Sequence, residues 1–481
     1  MLDLAIKNVQ IASPGGVVSG SIGIEAETIR YIGPVKELSG AYRVIDGENH
    51  LALPGFIDPH VHLGQVGVRQ DKEMLHQNFL RESKAALHGG VTSMGVFSAP
   101  RPSGSGIEAV QLYKKIGEEC SSADFFLHAV ISSEAHVEEI PTLAGNYGVQ
   151  SFKHFFNANK PRHPEEDVPH WHCEHPLLFK SFETISKLNP PCIGMVHCED
   201  QDVINLLEDR FKGTGRADLR AWAEARPAWV EHLRMRLAFE IAKAVGSALY
   251  FVHIGAAEGV DLMAEGRKQG YPVWGETCPH YLTHTADMEE EIGCWGKVKT
   301  AIKFSQDRDR LWEGIREGNI TNMGTDHVAC TREEKEAGGG KYGNIWKSRA
   351  GVGGGMEHWL PVMMTFGIHG GKISIEDMVR ICSTNNAIAF GLYPRKGVLM
   401  EGSDADIVLV DPEREITIGS KYYIGRADWS IYDGKKLRGF PRMTLVRGKV
   451  LWDNGGLEDA RSGHKARCLS RPYVNASNNA L

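Results

Sequence analysis

Six residues of this chain could do metal chemistry together. Asp58-Pro59-His60-Val61-His62 ends an apolar run. Side chains two apart on a strand point the same way, so His60 and His62 can offer two imidazoles to one ion. His197 closes the run that begins at Cys192, His253 closes the one that begins at Ala248, and Asp326 follows Asn322-Met-Gly-Thr and precedes His327. Any one of these is compatible with a satisfied core residue. Four histidines and a carboxylate that all end apolar runs instead suggest one pocket suited to zinc or a similar divalent metal.

Lys153, in Val149-Gln-Ser-Phe-Lys-His-Phe-Phe, is the sixth residue. A charged, unpaired lysine inside so apolar a strand costs several kcal/mol. It could snorkel to a strand end or pair with a carboxylate. Beside two metal ions it has another option, because a neutral lysine can take up carbon dioxide as a carbamate whose anionic oxygens bridge cations. With that carbamate, Asp326 and a bridging hydroxide, two divalent ions are nearly neutralised yet still acidic enough to activate water.

The elements that must carry these residues follow from apolar patterning. Short apolar runs span Gly55 to His62, Val91 to Phe97, Phe125 to Ile131, Val149 to Phe156, Ile193 to His197, Leu249 to Ile254, Val273 to Thr277 and Asn322 to Asp326. Helical spacing fills intervals between them at Glu73 to Leu87, Ile107 to Glu119, Val230 to Val245, Gly259 to Lys268 and Arg308 to Arg316, and Ile375 to Phe390 follows. Alternating strand and helix predicts an α/β fold, a TIM-like (β/α)8 barrel, whose C-terminal strand ends converge on one catalytic face. Strand alternation in Leu2 to Ile11, Ser21 to Ile24 and Ile29 to Ile32, then in Ala405 to Val410 and Met443 to Trp452, predicts a small β-sandwich module built from both chain ends. The expected division is residues 1–52 and 396–455 for the sandwich, 53–395 for the barrel, and 456–481 as a C-terminal tail.

At 481 residues, 42% hydrophobic and 24% charged, the chain can bury a large core plus a second module. A net charge of -7 and the lack of any Lys/Arg run give no drive toward nucleic acid or anionic lipid. No run approaches the ~18 apolar residues of a spanning helix, and the start lacks a basic-then-apolar leader, so a cytoplasmic address is expected. Nine scattered cysteines without a C-x-x-C pair predict neither a disulfide framework nor a cysteine zinc site; Cys198 and Cys278 read as buried structural thiols.

Several segments together resemble the cyclic amidohydrolases, the branch of the amidohydrolase superfamily that holds dihydropyrimidinases, D-hydantoinases, allantoinases and dihydroorotases. They are Leu53-Pro-Gly-Phe-Ile-Asp-Pro-His-Val-His62, Ser151-Phe-Lys153, Val196-His197-Cys-Glu, Val252-His253, Gly275-Glu-Thr-Cys-Pro-His-Tyr-Leu282, Gly324-Thr-Asp326-His327 and Gly402-Ser-Asp-Ala-Asp-Ile-Val-Leu-Val-Asp411. The resemblance implies a binuclear hydrolase of an amide-type C–N bond in a cyclic amide, imide or ureide. It implies that His60, His62 and Asp326 hold the more buried ion, that His197 and His253 hold the more exposed one, and that carbamylated Lys153 bridges them. Asp326 would serve as general base and acid. It also implies a small-molecule substrate, two divalent ions, zinc foremost, and a homo-oligomer, commonly a tetramer. Relatives that lost the ligands serve as scaffolds, but all six positions are intact here.

Substrate-contacting positions depart from the family pattern. Ala158 replaces a carbonyl-holding tyrosine, Thr300-Ala-Ile302 replaces Ser-Pro-Pro, and Ala350-Gly351 replaces Asn-Gly. Gly64 stands where dihydroorotases carry a carboxylate-gripping arginine. With Phe155, Phe156 and Ile302 near in sequence, a roomier, more apolar pocket is expected, favouring bulkier or more apolar substrates over dihydrouracil, hydantoin and allantoin. An acyclic amide, carbamate or urea is the alternative substrate. His280 and Tyr281 read as structural, and Trp171 to His175 as an irregular loop shaping the entrance.

Overall fold

The computed structural model describes residues 1–35, 40–64, 72–101, 104–156, 171–454, 456–457 and 464–470. Its first strands are β1 (Leu2–Ser13), β2 (Gly16–Glu25), β3 (Thr28–Gly33), β4 (Ala41–Asp46) and β5 (Leu51–Pro54). In β1 the apolar alternation changes phase between Ile6 and Val9, where the register shifts around Asn8 at φ 54°. The bulge lets Leu4, Ile6, Val9 and Ile11 enter one core cluster despite the phase change.

Eight strand positions then make a parallel ring: β6 (Phe56–His62), β7 (Val91–Ser98), β8 (Asp124–Val130), β9 (Ser151–Phe155), β10 (Ile193–His197), β11 (Ala248–Phe251), β12 (Val273–Thr277) and a last position split into β13 (Asn322–Met323) and β14 (His327–Val328). β13 pairs with β12 and β14 with β6, so the two halves of the split strand close the barrel. These runs are buried almost throughout, as expected where a parallel sheet is covered on both faces.

Helices cover the outside, among them Lys72–His88, Gly106–Cys120, Glu134–Tyr147, His175–Ser186, Ala228–Val245, Ala257–Lys268 and Ser305–Arg316. Ser105 caps the second by accepting from the Ile107 and Glu108 amides. Gly246, at φ 74°, ends Ala228–Val245 in the left-handed conformation that glycine adopts without strain. The single helix expected over Ile375 to Phe390 is interrupted by a widened, π-type turn over Arg380–Thr384. There Ser383 Oγ donates to the Pro54 and Gly55 carbonyls, a tertiary contact that periodicity could not show.

Strands β15 (Ile407–Thr417), β16 (Lys436–Val446), β17 (Lys449–Asp453) and β18 (Gly456–Leu457) complete the first sheet, in the order β18-β17-β16-β15-β5-β1-β2-β3 with β4 beside β1. The tight turn from β16 to β17 has Arg447 at φ 47° and Gly448 at φ 73°, a backbone matched to hairpin twist. Residues 464–470 dock on the barrel: Phe125 N–H donates to the Arg467 carbonyl and Leu469 N–H to the Phe125 carbonyl. No helix among the described residues is long and apolar enough to cross a membrane.

Candidate metal centre

His60 and His62 leave the end of β6 on one side, as their spacing requires. Phe97 orders both rings, stacked on His62 at 4.9 Å between centroids and edge-on to His60 at 4.8 Å. Asp326 lies in the gap of the split eighth strand, and its Oδ1 stands 3.2 Å from Nε2 of each histidine. One ligand atom from each of the three residues falls within 4.8 Å of the others. His253, just past β11, has its ring 5.2 Å from that of His60, and His197 at the end of β10 packs against His253 at 4.3 Å. His197 Nε2 lies 3.0 Å from Glu199 Oε2.

Lys153 is buried, and its Nζ has no hydrogen-bond partner among the described residues. The ammonium rests over the Phe97 and Phe155 rings, 4.9 and 4.8 Å from their centroids. Burial pulls its pKa down to about 7 even though Glu276 and Asp326 act the other way. The other groups are shifted in both directions. Burial holds His62 at about 4 and His197 and His253 below the usual imidazole range, which leaves lone pairs free for a metal. Burial opposes ionisation of Asp326, but His60 and His62 hold its carboxyl well below the usual range. Burial also opposes charge on His60, yet Glu276 and Asp326 raise it to about 9.

Two of these side chains sit on strained backbone. His253 has φ 38° and Asp326 φ 51°, a region that costs non-glycine residues about 1–3 kcal/mol and clusters at functional sites. Asp58 supports the Asp326 turn by accepting from Thr325 Oγ1 at 2.5 Å, the Thr325 amide at 3.1 Å and the His60 amide at 3.1 Å. Gly324 is required beside it: a Cβ there would lie 2.9 Å from His60 Cβ and 3.0 Å from Glu276 Cδ.

Sequence reasoning missed Glu276. This fully buried carboxylate faces His60 Nδ1 at 2.7 Å and accepts from the Tyr250 hydroxyl at 2.9 Å and the His253 amide at 3.1 Å. One side chain thus ties a residue of the His60 group to one of the His197 group and orients an imidazole from behind. The available signal was an acid inside the short strand Val273–Thr277.

Other candidates stay outside the ligand cluster. His327 points away, with Nε2 2.8 Å from Glu82 Oε2. His280 and Tyr281 are buried, and the Tyr281 hydroxyl donates to the Thr300 carbonyl at 2.7 Å. Cys198 and Cys278 are buried free thiols. Trp171 packs near Phe155, and the Cys173 amide donates to the Phe155 carbonyl, so this stretch flanks the end of β9. Of the three residues expected to make an apolar wall, Phe155 lies against a candidate ligand, His197. Phe156 and Ile302 are buried in the main core cluster. Ala158 lies outside the described residues.

A closed parallel barrel whose strand ends gather imidazoles, a carboxylate and a buried amine, with a second sheet from both chain ends, defines a metal-dependent barrel hydrolase. Residues 250–451 match the amidohydrolase family. An L-hydantoinase of Paenarthrobacter aurescens is 28% identical over 455 residues, 95% of either chain. A D-hydantoinase of Ralstonia pickettii is 30% identical over 460 residues, 94% of this chain and 96% of that one. The solved dihydropyrimidinase of Brevibacillus agri superposes with a TM-score of 0.86 at 27% identity, covering 98% of this chain and 99% of its own. The chain belongs to the amidohydrolase family, in its cyclic amidohydrolase branch, and is a hydrolase of C–N bonds other than peptide bonds. That family carries a binuclear metal centre, and the His60, His62 and Asp326 cluster fits one.

Proposed function

We propose that this chain opens a ring amide, imide or ureide by hydrolysis, as the names of its relatives suggest, at a centre held by His60, His62, Lys153, His197, His253 and Asp326. The observation that supports it best is the convergence of His60 Nε2, His62 Nε2 and Asp326 Oδ1 beside a buried lysine nitrogen that has no partner among the described residues. A buried amine with no acceptor is poorly accommodated as an ammonium; as a carbamate it would gain anionic oxygens for two cations. Two divalent ions, with zinc favoured by the imidazole and carboxylate donors, would supply Lewis acidity to the carbonyl and to water.

The chain's own residues do the rest. Asp326, held as an anion, takes a proton from the attacking water. As the C–N bond breaks, it returns that proton to the departing ring nitrogen, leaving a carboxylate and an amine, a carboxamide or a ureido group for a ring amide, imide or ureide respectively. Glu276 fixes the ring of His60 and the backbone at His253 so that both donors keep their aim. Barrel burial keeps the surroundings dry, which strengthens each electrostatic contact. We further propose a homo-oligomer.

The test loads the protein with zinc and follows ring opening of hydantoin, dihydrouracil and their 5-substituted derivatives against acyclic amides and carbamates. Ring opening with about two ions per chain supports the reading; turnover of acyclic substrates alone overturns its ring-specific part.

A further inference from the structure

Two histidines of the centre meet a buried glutamate, and they do so through opposite nitrogens. His60 presents Nδ1 to Glu276 at 2.7 Å and keeps Nε2 3.2 Å from Asp326. His197 instead turns Nε2 to Glu199, 3.0 Å from Oε2, and packs edge-on against His253 at 4.3 Å. Glu199 is fully buried and sits between the end of β10 and the helix Gln201–Gly213. That short connection is held at both ends. The Phe156 amide donates to the His197 carbonyl at 3.2 Å, while Asp200 accepts from the Val203 amide at 3.0 Å and pairs with Arg234 at 2.7 Å. Two buried cations, Arg226 and Lys303, add a positive field at Glu199. They are themselves fixed: Arg226 is bound to Glu208 and stacks on Trp222, and Lys303 donates to the Arg226 carbonyl at 2.6 Å.

We infer that Glu199 is a positioning residue for the second ion: by accepting a hydrogen bond from His197 Nε2–H, it fixes the tautomer whose Nδ1 carries the lone pair a metal needs. The inference rests on the two-ion reading above, in which His197 and His253 hold one of the ions, and deepens it. A neutral imidazole has one N–H and one lone pair, so the nitrogen that donates cannot also ligate. An anionic acceptor keeps the proton on the nitrogen it faces and makes the other a stronger donor to a cation. Glu276 acts on His60 in the same way through the other nitrogen, which leaves Nε2 as the ligand atom there. Glu276 also holds the His253 amide and so reaches both groups of ligands, whereas Glu199 faces His197. A change at Glu199 should therefore be felt at one ion.

The test is a zinc titration of metal-stripped protein against a competing chelator, with bound zinc counted by elemental analysis. It compares wild type with Glu199→Gln, Glu199→Asp and Glu208→Gln, and thermal unfolding of the metal-free proteins checks each fold. Wild type should take up two ions in two steps. In Glu199→Gln one step should weaken by about 10–100-fold while the other stays within about twofold, because a neutral amide holds the tautomer less firmly. Glu199→Asp keeps the charge but withdraws the oxygen by one methylene, so the same step should weaken by less. Glu208→Gln removes a buried acid bound to Arg226, and both steps should survive it. Ring opening gives a second readout: excess zinc should restore most of the kcat lost in Glu199→Gln. Unchanged steps in Glu199→Gln, an equal loss at both, or the same selective loss in Glu208→Gln overturns the role of Glu199, while two steps in wild type leave the two-ion reading standing. A single step in wild type removes that reading, and this role with it.

Discussion

At the scale of single residues, each side chain of the centre makes a separable demand. Asp326 must be anionic to take a proton, and an amide cannot do so. Asp326→Asn should therefore lower kcat by about 10²–10⁴-fold while thermal unfolding stays close to wild type. Near-normal turnover with metal retained would show that another base acts. Lys153→Ala removes the proposed bridge, so metal content and activity should fall together, and a small carboxylic acid should restore part of both. Mass spectrometry of the intact active protein that shows an unmodified Lys153 would count against the carbamate. Glu276→Gln keeps the shape but weakens the hold on His60 and His253. A loss of zinc affinity of about 10–100-fold is expected by metal titration, and unchanged affinity would reduce Glu276 to a packing residue.

At the scale of elements, a buried charge network joins the barrel to the second sheet. Lys396 Nζ lies 2.6 Å from Asp406, 3.0 Å from Asp124 at the start of β8 and 3.1 Å from Asp404, while Arg447 in the β16 to β17 turn holds Asp124 from the other side. Removing one partner of a buried pair costs about 3–5 kcal/mol, because the remaining charges keep their desolvation without its compensation. Lys396→Met should show a loss of that order in denaturant unfolding at neutral pH. The sign with pH follows from Asp124. Burial raises its pKa, but Lys396 and Arg447 lower it further, so in wild type it stabilises the fold above its unfolded pKa and this is lost as pH falls through the folded one. In Lys396→Met the acids lack that cation and are easier to protonate, so the deficit against wild type should shrink as pH falls. A deficit that grows in acid would contradict this account.

At the scale of the whole molecule, the C-terminal arm packs on its own protomer, and any part in assembly can be separated from that by deletion. Residues 464–470 belong to this chain's own packing: the Arg467 amide donates to Asp124 at 2.8 Å, and the Leu127 amide donates to Ser470 Oγ at 2.9 Å. Ending the chain after Gly456 would strip these bonds and destabilise the protomer along with any assembly. Ending it after Ser470 spares them. If residues 471–481 contribute to an oligomer, that shorter deletion should lower the mass in solution while leaving thermal unfolding of the protomer nearly unchanged. An unchanged mass would leave the far tail no part in assembly.

Local patterning determined much of this protein. Apolar runs of strand length mark eight barrel positions because a parallel strand buried on both faces is apolar along its length, and the His-x-His spacing places two imidazoles on one side of β6. The residues at the other strand ends were legible for the same reason. Only tertiary structure decided the rest. Glu276 acquires its role because β11, β12 and β6 bring Tyr250, His253 and His60 to one carboxylate, a meeting of residues far apart in the chain. The split eighth strand depends on Asp58 of the neighbouring β6 holding Thr325, and the break in the helix after residue 379 on Ser383 reaching Pro54 and Gly55. Phe156 and Ile302 looked like pocket walls by sequence proximity, yet both are buried in the main core cluster. Periodicity reports which face of an element is buried; which partner meets that face is set by chain closure and packing.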